Sequence, residues 1–528
     1  MAEVFAFSPF GYEGSLVSVE VDLRRGIPAV DIVGLSDGAV KESRERVISA
    51  IRNSGFEFPE ERVLISLSPA DLKKEGAGFD LPVALGILNA KDEASCIKEK
   101  VLVIGELELS GAVRPVKGVH AAITTAVASG IRYAIVPEAS RKEAEACDGI
   151  RVACVRNLCE AESALRDLSY YIEENTDVIM KAVEFPKPLG NEEEEIELPK
   201  NLVRAIEVAV AGKHSLLVCG CPGSGKTLAI QKLVPSLTPK LTYEESQSVT
   251  RIWSLAGLIS PDDGLIRDTP FRMPHQTASI EGMCGGGVNL HPGEISLAHN
   301  GTLFMDEAHE FRSSVISMVS SMMRIKTITL SRAGRSTVFP ANFQLVMAAN
   351  PCPCGNLGCP GKICLDGQKS VETYNRKLEP LTDRTEITSY VYKDPTDHKK
   401  INLVAVRERI KTAYEIQRKH GKYNKDLEPM ELKERIDFTP EMNKLLGENF
   451  PVYVNQSEYS RDNSLRDLKV LNTMKLSLTV ANLDGREKVT IKDLQKAIEL
   501  GQSIESKSQK LCRKIEREQE KENVREGR

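Results

Sequence analysis

Eight consecutive residues, Gly220-Cys221-Pro222-Gly223-Ser224-Gly225-Lys226-Thr227, have the spacing GxxxxGK[ST] of a phosphate-binding loop. The apolar run Ser215-Leu216-Leu217-Val218-Cys219 precedes them, and a helical pattern from Leu228 to Val234 follows. A strand that feeds a glycine turn opening a helix aims backbone N–H groups at an anionic triphosphate. Lys226 then reaches the β- and γ-phosphates, and the Thr227 hydroxyl takes one position on Mg²⁺. The chemistry expected is binding of a nucleoside triphosphate, ATP.

Cleaving that triphosphate needs a metal, an oriented water and neutralisation of the γ-phosphate charge. The apolar segment beginning Gly301-Thr302-Leu303-Phe304-Met305 ends in Asp306 and Glu307. Asp306 is expected on Mg²⁺, and Glu307 as the general base that polarises the attacking water. Asp306-Glu307-Ala308-His309 also spells DEAH, but the neighbouring motifs are not those of DEAH-box helicases. Asn350 ends another apolar run, Phe343 to Ala349, where it would hydrogen-bond the γ-phosphate or the water; its other reading is a turn-forming Asn before Pro351. Arg384 is either an ordinary surface arginine or, in a ring ATPase, the guanidinium that completes a neighbouring subunit's site.

Twelve cysteines in a chain of 528 residues do not suggest a disulfide framework, and Cys221 and seven others read as small core side chains. Cys352, Cys354, Cys359 and Cys364 differ, since they cluster among Pro351, Pro353, Gly355, Gly358, Pro360 and Gly361. Such a loop has too little apolar content to pack itself, and four thiolates on a structural Zn²⁺ would hold it. Reduced, unliganded thiols are the competing reading. Thr327 to Val338 carries β-branched arms around Gly334 and reads as a hairpin with Arg332 and Arg335 at its tip and Lys326 at its base. Repeated around a channel, these charges would contact nucleic-acid phosphates; a solvated turn is the bland alternative.

The elements that must position these groups fall into blocks. Residues 1–170 alternate short strands and helices, with Val17–Val21 and Val63–Leu67 as strands and Val40–Asn53 and Gly118–Ser129 as helices. Residues 171–197 form an acidic linker around Glu192–Glu195. Residues 198–400 alternate strands and helices, which implies a parallel sheet with its ligands at the strand C-termini. Residues 401–505 read as helices and 506–528 as a charged tail. A net charge of −5 advertises no global nucleic-acid surface, so any basic surface is local. No run approaches the ~18 apolar residues that span a membrane, and the N-terminus lacks a secretory pattern, so the expected location is the cytoplasm.

Phe271-Arg272-Met273-Pro274-His275, the run Pro292 to Gly301, and Asn350-Pro351-Cys352-Pro353-Cys354-Gly355 resemble the magnesium-chelatase-like AAA+ family, in its YifB/ComM branch. Ser68–Gly76 and Gly105–Gly111 are similar to that branch's N-terminal domain. The resemblance implies an N-terminal α+β domain of the ribosomal-S5 and Lon-protease type, a central AAA+ P-loop α/β domain and a C-terminal helical lid. It also implies a homo-hexameric ring with ATP and Mg²⁺ between subunits, Asn350 as γ-phosphate sensor and Arg384 as the finger acting in trans. Arg466, with Arg461 as competitor, matches the second sensor arginine of the lid. At the positions of the Lon Ser–Lys dyad this chain carries Gly78 and His120, neither able to serve as hydroxyl nucleophile or amine base. The function expected is a DNA motor acting on branched or single-stranded DNA. The alternatives are a protein remodeller of the chelatase-subunit type and an ATP-dependent switch.

Overall fold

The structure is a computed structural model that describes residues 3–34, 38–69, 77–92, 99–172, 183–186, 195–260, 263–332, 335–359, 362–391, 398–450 and 467–502. Most of the acidic linker, the tail 506–528, and both Arg461 and Arg466 lie outside the described residues.

The N-terminal unit runs β1 (Glu3–Ser8), β2 (Ser15–Arg24), β3 (Val30–Val33), α1 (Gly38–Asn53), β4 (Arg62–Ser68), α2 (Asp80–Asp92), β5 (Lys100–Val103), β6 (Glu106–Leu107), β7 (Val113–Arg114), α3 (Val119–Ala128), β8 (Tyr133–Pro137), α4 (Arg141–Glu145), β9 (Arg151–Val155), α5 (Leu158–Arg166) and β10 (Tyr171–Ile172). Eight of these strands make one sheet in the order β10-β9-β8-β5-β1-β2-β4-β3. Strand alternation sends successive side chains to opposite faces. Val101 and Val103 of β5 therefore join the core under α1, α2 and α5, while Leu102 and Ile104 join the core under α3.

The second unit opens with β11 (Glu195–Pro199), α6 (Lys200–Gly212), β12 (Leu216–Gly220), α7 (Lys226–Leu237) and α8 (Tyr243–Ala256). It continues through β13 (Phe271–Arg272), α9 (Ile280–Cys284), β14 (Gly285–Gly286), β15 (His291–Pro292), α10 (Glu294–Leu297), β16 (Thr302–Met305) and α11 (Ser313–Ile325). It closes with β17 (Thr327–Arg332), β18 (Arg335–Pro340), β19 (Gln344–Ala349), α12 (Gln368–Thr382), β20 (Ile387–Val391) and β21 (His398–Asn402). The central sheet, ordered β13-β16-β19-β12-β20, is wholly parallel. Leu216 and Val218 face α6 and α7, whereas Leu217 faces the core of α11 and α12. Strands buried on both faces account for the unbroken apolar runs in the sequence.

Helices α13 (Leu403–Lys419), α14 (Pro429–Arg435), α15 (Pro440–Asn449), α16 (Leu468–Leu483) and α17 (Ile491–Gly501) form the C-terminal part. Val406, Ile410, Leu476 and Val480 pack into the α6–α7 core, so α13 and α16 are joined to the nucleotide module. Met442, Leu446, Val470 and Leu494 build a smaller core of the lid's own.

Helix α8 connects all three units. Its capping box at Thr242 and Glu245 starts it, and Gly257 in the left-handed region ends it. Toward the N-terminal unit, Arg251 donates to the carbonyls of Tyr12 and Glu13 at 3.0 and 2.8 Å, and Gln247 meets His120 at 2.6 Å. Glu245 accepts from Lys213 at the end of α6 at 2.9 Å and, toward the lid, from the Tyr423 hydroxyl at 3.0 Å. Burial alone would raise the Glu245 carboxyl; Lys213, the Thr242 N–H and Tyr423 outweigh it and bring it from its ordinary 4.5 down to about 2. A carboxyl held low contributes stability that is complete above its ordinary value and disappears as pH falls toward the depressed one. Glu245→Ala should therefore destabilise the nucleotide module by about 3 kcal/mol, because Lys213 is left buried without its partner. Urea midpoints of the two proteins should differ at pH 7 and converge as pH falls from about 4.5 toward 2.

Candidate nucleotide site

Gly220 closes β12 where only a glycine fits, since a Cβ there would lie 2.0 Å from the carbonyl oxygen of Val391 on β20. Gly223 and Gly225 take φ of 75° and 79°, the left-handed values that let the loop curl and open α7 at Lys226. The Lys226 ammonium lies within this curl, donating to the carbonyls of Gly220 at 2.7 Å and Cys221 at 2.9 Å. Burial lowers its pKa, against the opposing pull of Cys219, Asp306 and Glu307.

The parallel register brings the remaining groups to the same edge. β19 lies between β12 and β16, with Ala349 beside Cys219 and Met347 beside Met305. The residues following each strand therefore converge. Thr227 donates from its hydroxyl to Asp306 Oδ1 at 3.0 Å, and Lys226 donates to Asn350 Oδ1 at 3.4 Å. The Glu307 N–H donates to Asp306 at 3.1 Å, and Glu307 is exposed at the lip of the site. Thr227 and Asp306 offer two adjacent hard oxygen donors, a set that suits Mg²⁺.

Arg384 is elsewhere. Its Nε donates to Ser320 on α11 at 3.0 Å, and it lines a small cavity with Ser215, Lys326 and Lys425. Ser215 precedes β12, whereas the phosphate loop follows it, so the two ends of the strand separate them. Five residues of strand span about 16 Å.

The cysteine loop requires a correction. Cys352, Cys354, Cys364 and Asp366 gather with ligand atoms within 4.8 Å of one another, and Cys359 is not among them. Cys359 is instead disulfide-bonded to Cys221 of the phosphate loop, with Cα atoms 5.9 Å apart. The reason is the path of the chain: Gly355, at φ 73°, lets the loop fold down until a Cβ there would sit 2.6 Å from Pro222. That descent delivers Cys359 to Cys221. The three sulfurs left stand 3.4, 3.7 and 3.7 Å apart, and Asp366 Oδ2 is 3.9 Å from Cys364. Thiolates at ~2.3 Å from a tetrahedral zinc are about 3.8 Å apart, so this donor set fits the metal. Asp366 escaped a reading confined to thiols; its signal is its position two residues after Cys364, in a loop already rich in ligands.

The hairpin forms with Arg332 opposite Arg335. Arg332 is exposed, but the Arg335 guanidinium lies over the Phe10 ring at 5.2 Å. Lys326 is ion-paired with Asp426 ahead of α14. The second strand of the hairpin is tied to the N-terminal unit, with the Tyr12 N–H donating to Thr337 at 2.9 Å and the Tyr12 ring edge-on to Phe339. His120 is fully buried, and burial lowers it to about 4, so it is neutral. Gly78 lies in the short helical turn at residues 77–79.

Known proteins match along the same units. The family description "magnesium chelatase, subunit ChlI" matches residues 194–399, and "subunit ChlI of Mg-chelatase" matches residues 19–140. The chain is 33% identical over 500 residues to YifB of Escherichia coli, covering 92% of this chain and 94% of the relative. To competence protein ComM of Haemophilus influenzae it is 32% identical over 525 residues, covering 94% and 97%. A Lon protease of Trichlorobacter lovleyi is similar over a shorter stretch, 25% identical over 139 residues, covering 25% of this chain and 17% of the protease.

Proposed function

Because the chain belongs to the magnesium-chelatase ChlI-subunit family of AAA+ ATPases, in the branch that contains YifB and ComM, we propose that it is an ATP-hydrolysing ring motor acting on DNA. The observation that carries the ring is Arg384. One chain assembles Lys226, Thr227, Asp306, Glu307 and Asn350 at one edge of the sheet, and its candidate finger lies at the opposite edge. A guanidinium at the far end of β12, a strand spanning about 16 Å, cannot stabilise charge on its own chain's γ-phosphate. It can serve the site of a second copy, and a homo-hexamer is the assembly proposed.

In this reading the glycine loop and Lys226 hold the triphosphate, and Asn350 senses the γ-phosphate. Thr227 and Asp306 hold Mg²⁺, which would neutralise developing phosphate charge when bound. Glu307 takes the proton of the attacking water. Arg332 supports the DNA reading, because it is the exposed charge at the tip of a hairpin braced from behind. With Lys326 paired to Asp426 and Arg335 over Phe10, the phosphate contacts proposed rest mainly on Arg332. The protein-remodelling reading draws on the glycine-rich segment Gly285–Gly287 and its flanks, where Val288 is 62% and Ile280 48% exposed. We also assign Cys352, Cys354, Cys364 and Asp366 to a structural Zn²⁺.

Arg384→Ala should bind ATP normally yet hydrolyse it at least 100-fold more slowly, in line with losing an arginine finger. Mixing it with Lys226→Ala protomers should restore part of the turnover, since each supplies what the other lacks; steady-state ATPase assays of the mixture check this. ATPase rates across single-stranded, duplex and branched DNA should rise with DNA, and Arg332→Glu should abolish the rise while leaving the basal rate unchanged. Stimulation by a protein substrate with no response to DNA would favour the remodelling reading. Metal content should be near one zinc per chain and should fall with Cys352→Ser but not with Cys359→Ser, as measured by native mass spectrometry.

A further inference from the structure

Glu307 holds φ 48° and ψ 51°, left-handed values unfavourable for a side-chain-bearing residue. Such a conformation persists only where its surroundings impose it. Part of the imposition is local, the Glu310 N–H donating to the Glu307 carbonyl at 2.7 Å. A further part is packing: Ala308 and Phe311 are fully buried in the core beneath the turn, and α12 adds contacts at His309. The buried imidazole of His309 lies flat on the Tyr374 ring, with centroids 3.6 Å apart and planes 11° from parallel. Three residues further along the same face of α12, the Lys377 ammonium donates to the His309 carbonyl. Neither ring nitrogen of His309 has a hydrogen-bond partner among the described residues. The ring therefore packs as a flat plate, gripped from one side by Tyr374 while its own carbonyl is held by Lys377.

We propose that Tyr374 and Lys377 are positioning residues that fix the Glu307–Glu310 turn through the stacked ring and the carbonyl of His309, and so aim the Glu307 carboxylate at the water it activates. Neither residue touches the triphosphate in this scheme; each acts through His309 on the carboxylate two residues before it. The proposal rests on the ATPase reading above.

The test is single-turnover ATP hydrolysis alongside binding of a non-hydrolysable ATP analogue and thermal unfolding. Tyr374→Ala and His309→Ala should lower the hydrolysis rate at least tenfold while analogue affinity stays within twofold of the parent, the pattern of a group needed only in the transition state. Tyr374→Phe and His309→Phe keep a flat ring and should restore most of the rate. Lys377→Met, which leaves the stack intact, should cost about threefold. In a Glu307→Gln background, Tyr374→Ala should add less than twofold, because the carboxylate it positions is already gone. Retention of the full rate in Tyr374→Ala, or parallel loss of rate, analogue affinity and melting temperature, would overturn the proposal. Absence of turnover in the parent chain with ATP and Mg²⁺ would overturn the ATPase reading, and the proposal with it.

Discussion

A single hydrogen bond of 3.0 Å, from the Thr227 hydroxyl to Asp306, joins segments 79 residues apart at the candidate nucleotide site. It exists because β12, β19 and β16 run parallel as immediate neighbours, so their ends arrive together. Antiparallel pairing would have put one partner on the far side. The close approach of β20 to Gly220 leaves no room for a side chain where β12 enters the phosphate loop. Local geometry at the site thus descends from sheet order, and sheet order from apolar runs that must be covered on both faces.

Around that edge the units are cross-tied rather than strung in series. α8 holds the N-terminal unit through Arg251 and Gln247 and the lid segment through Glu245. The hairpin is likewise tied on two sides, through Thr337 to Tyr12 and through neighbouring Lys326 to Asp426. The C-terminal segment and the hairpin base are thus joined directly by an ion pair.

Much of this was legible before folding. Helix α13 falls within the 401–505 stretch that reads as helical, and the hairpin arms lie where β-branched residues flank Gly334, because local pattern dictates both. The convergence of Lys226, Thr227, Asp306 and Asn350 follows from strand ends facing one crevice. What escaped was non-local. Nothing in the spacing of Cys359 announces Cys221, 138 residues away, since the bond depends on how deeply the loop descends at Gly355. Asp426 opposite Lys326, and Tyr374 over His309, are likewise products of packing between elements whose separation carries no periodic signal.

The opposed placement of Arg384 and the phosphate loop has a consequence for symmetry. If Arg384 completes the site of a second copy, as proposed, a pocket at one end of the strand receives a side chain from the other end of the next chain, a head-to-tail contact. Such subunits keep adding until the rotation per step closes on itself, and any mismatch in that angle yields an open screw with one vacant seam.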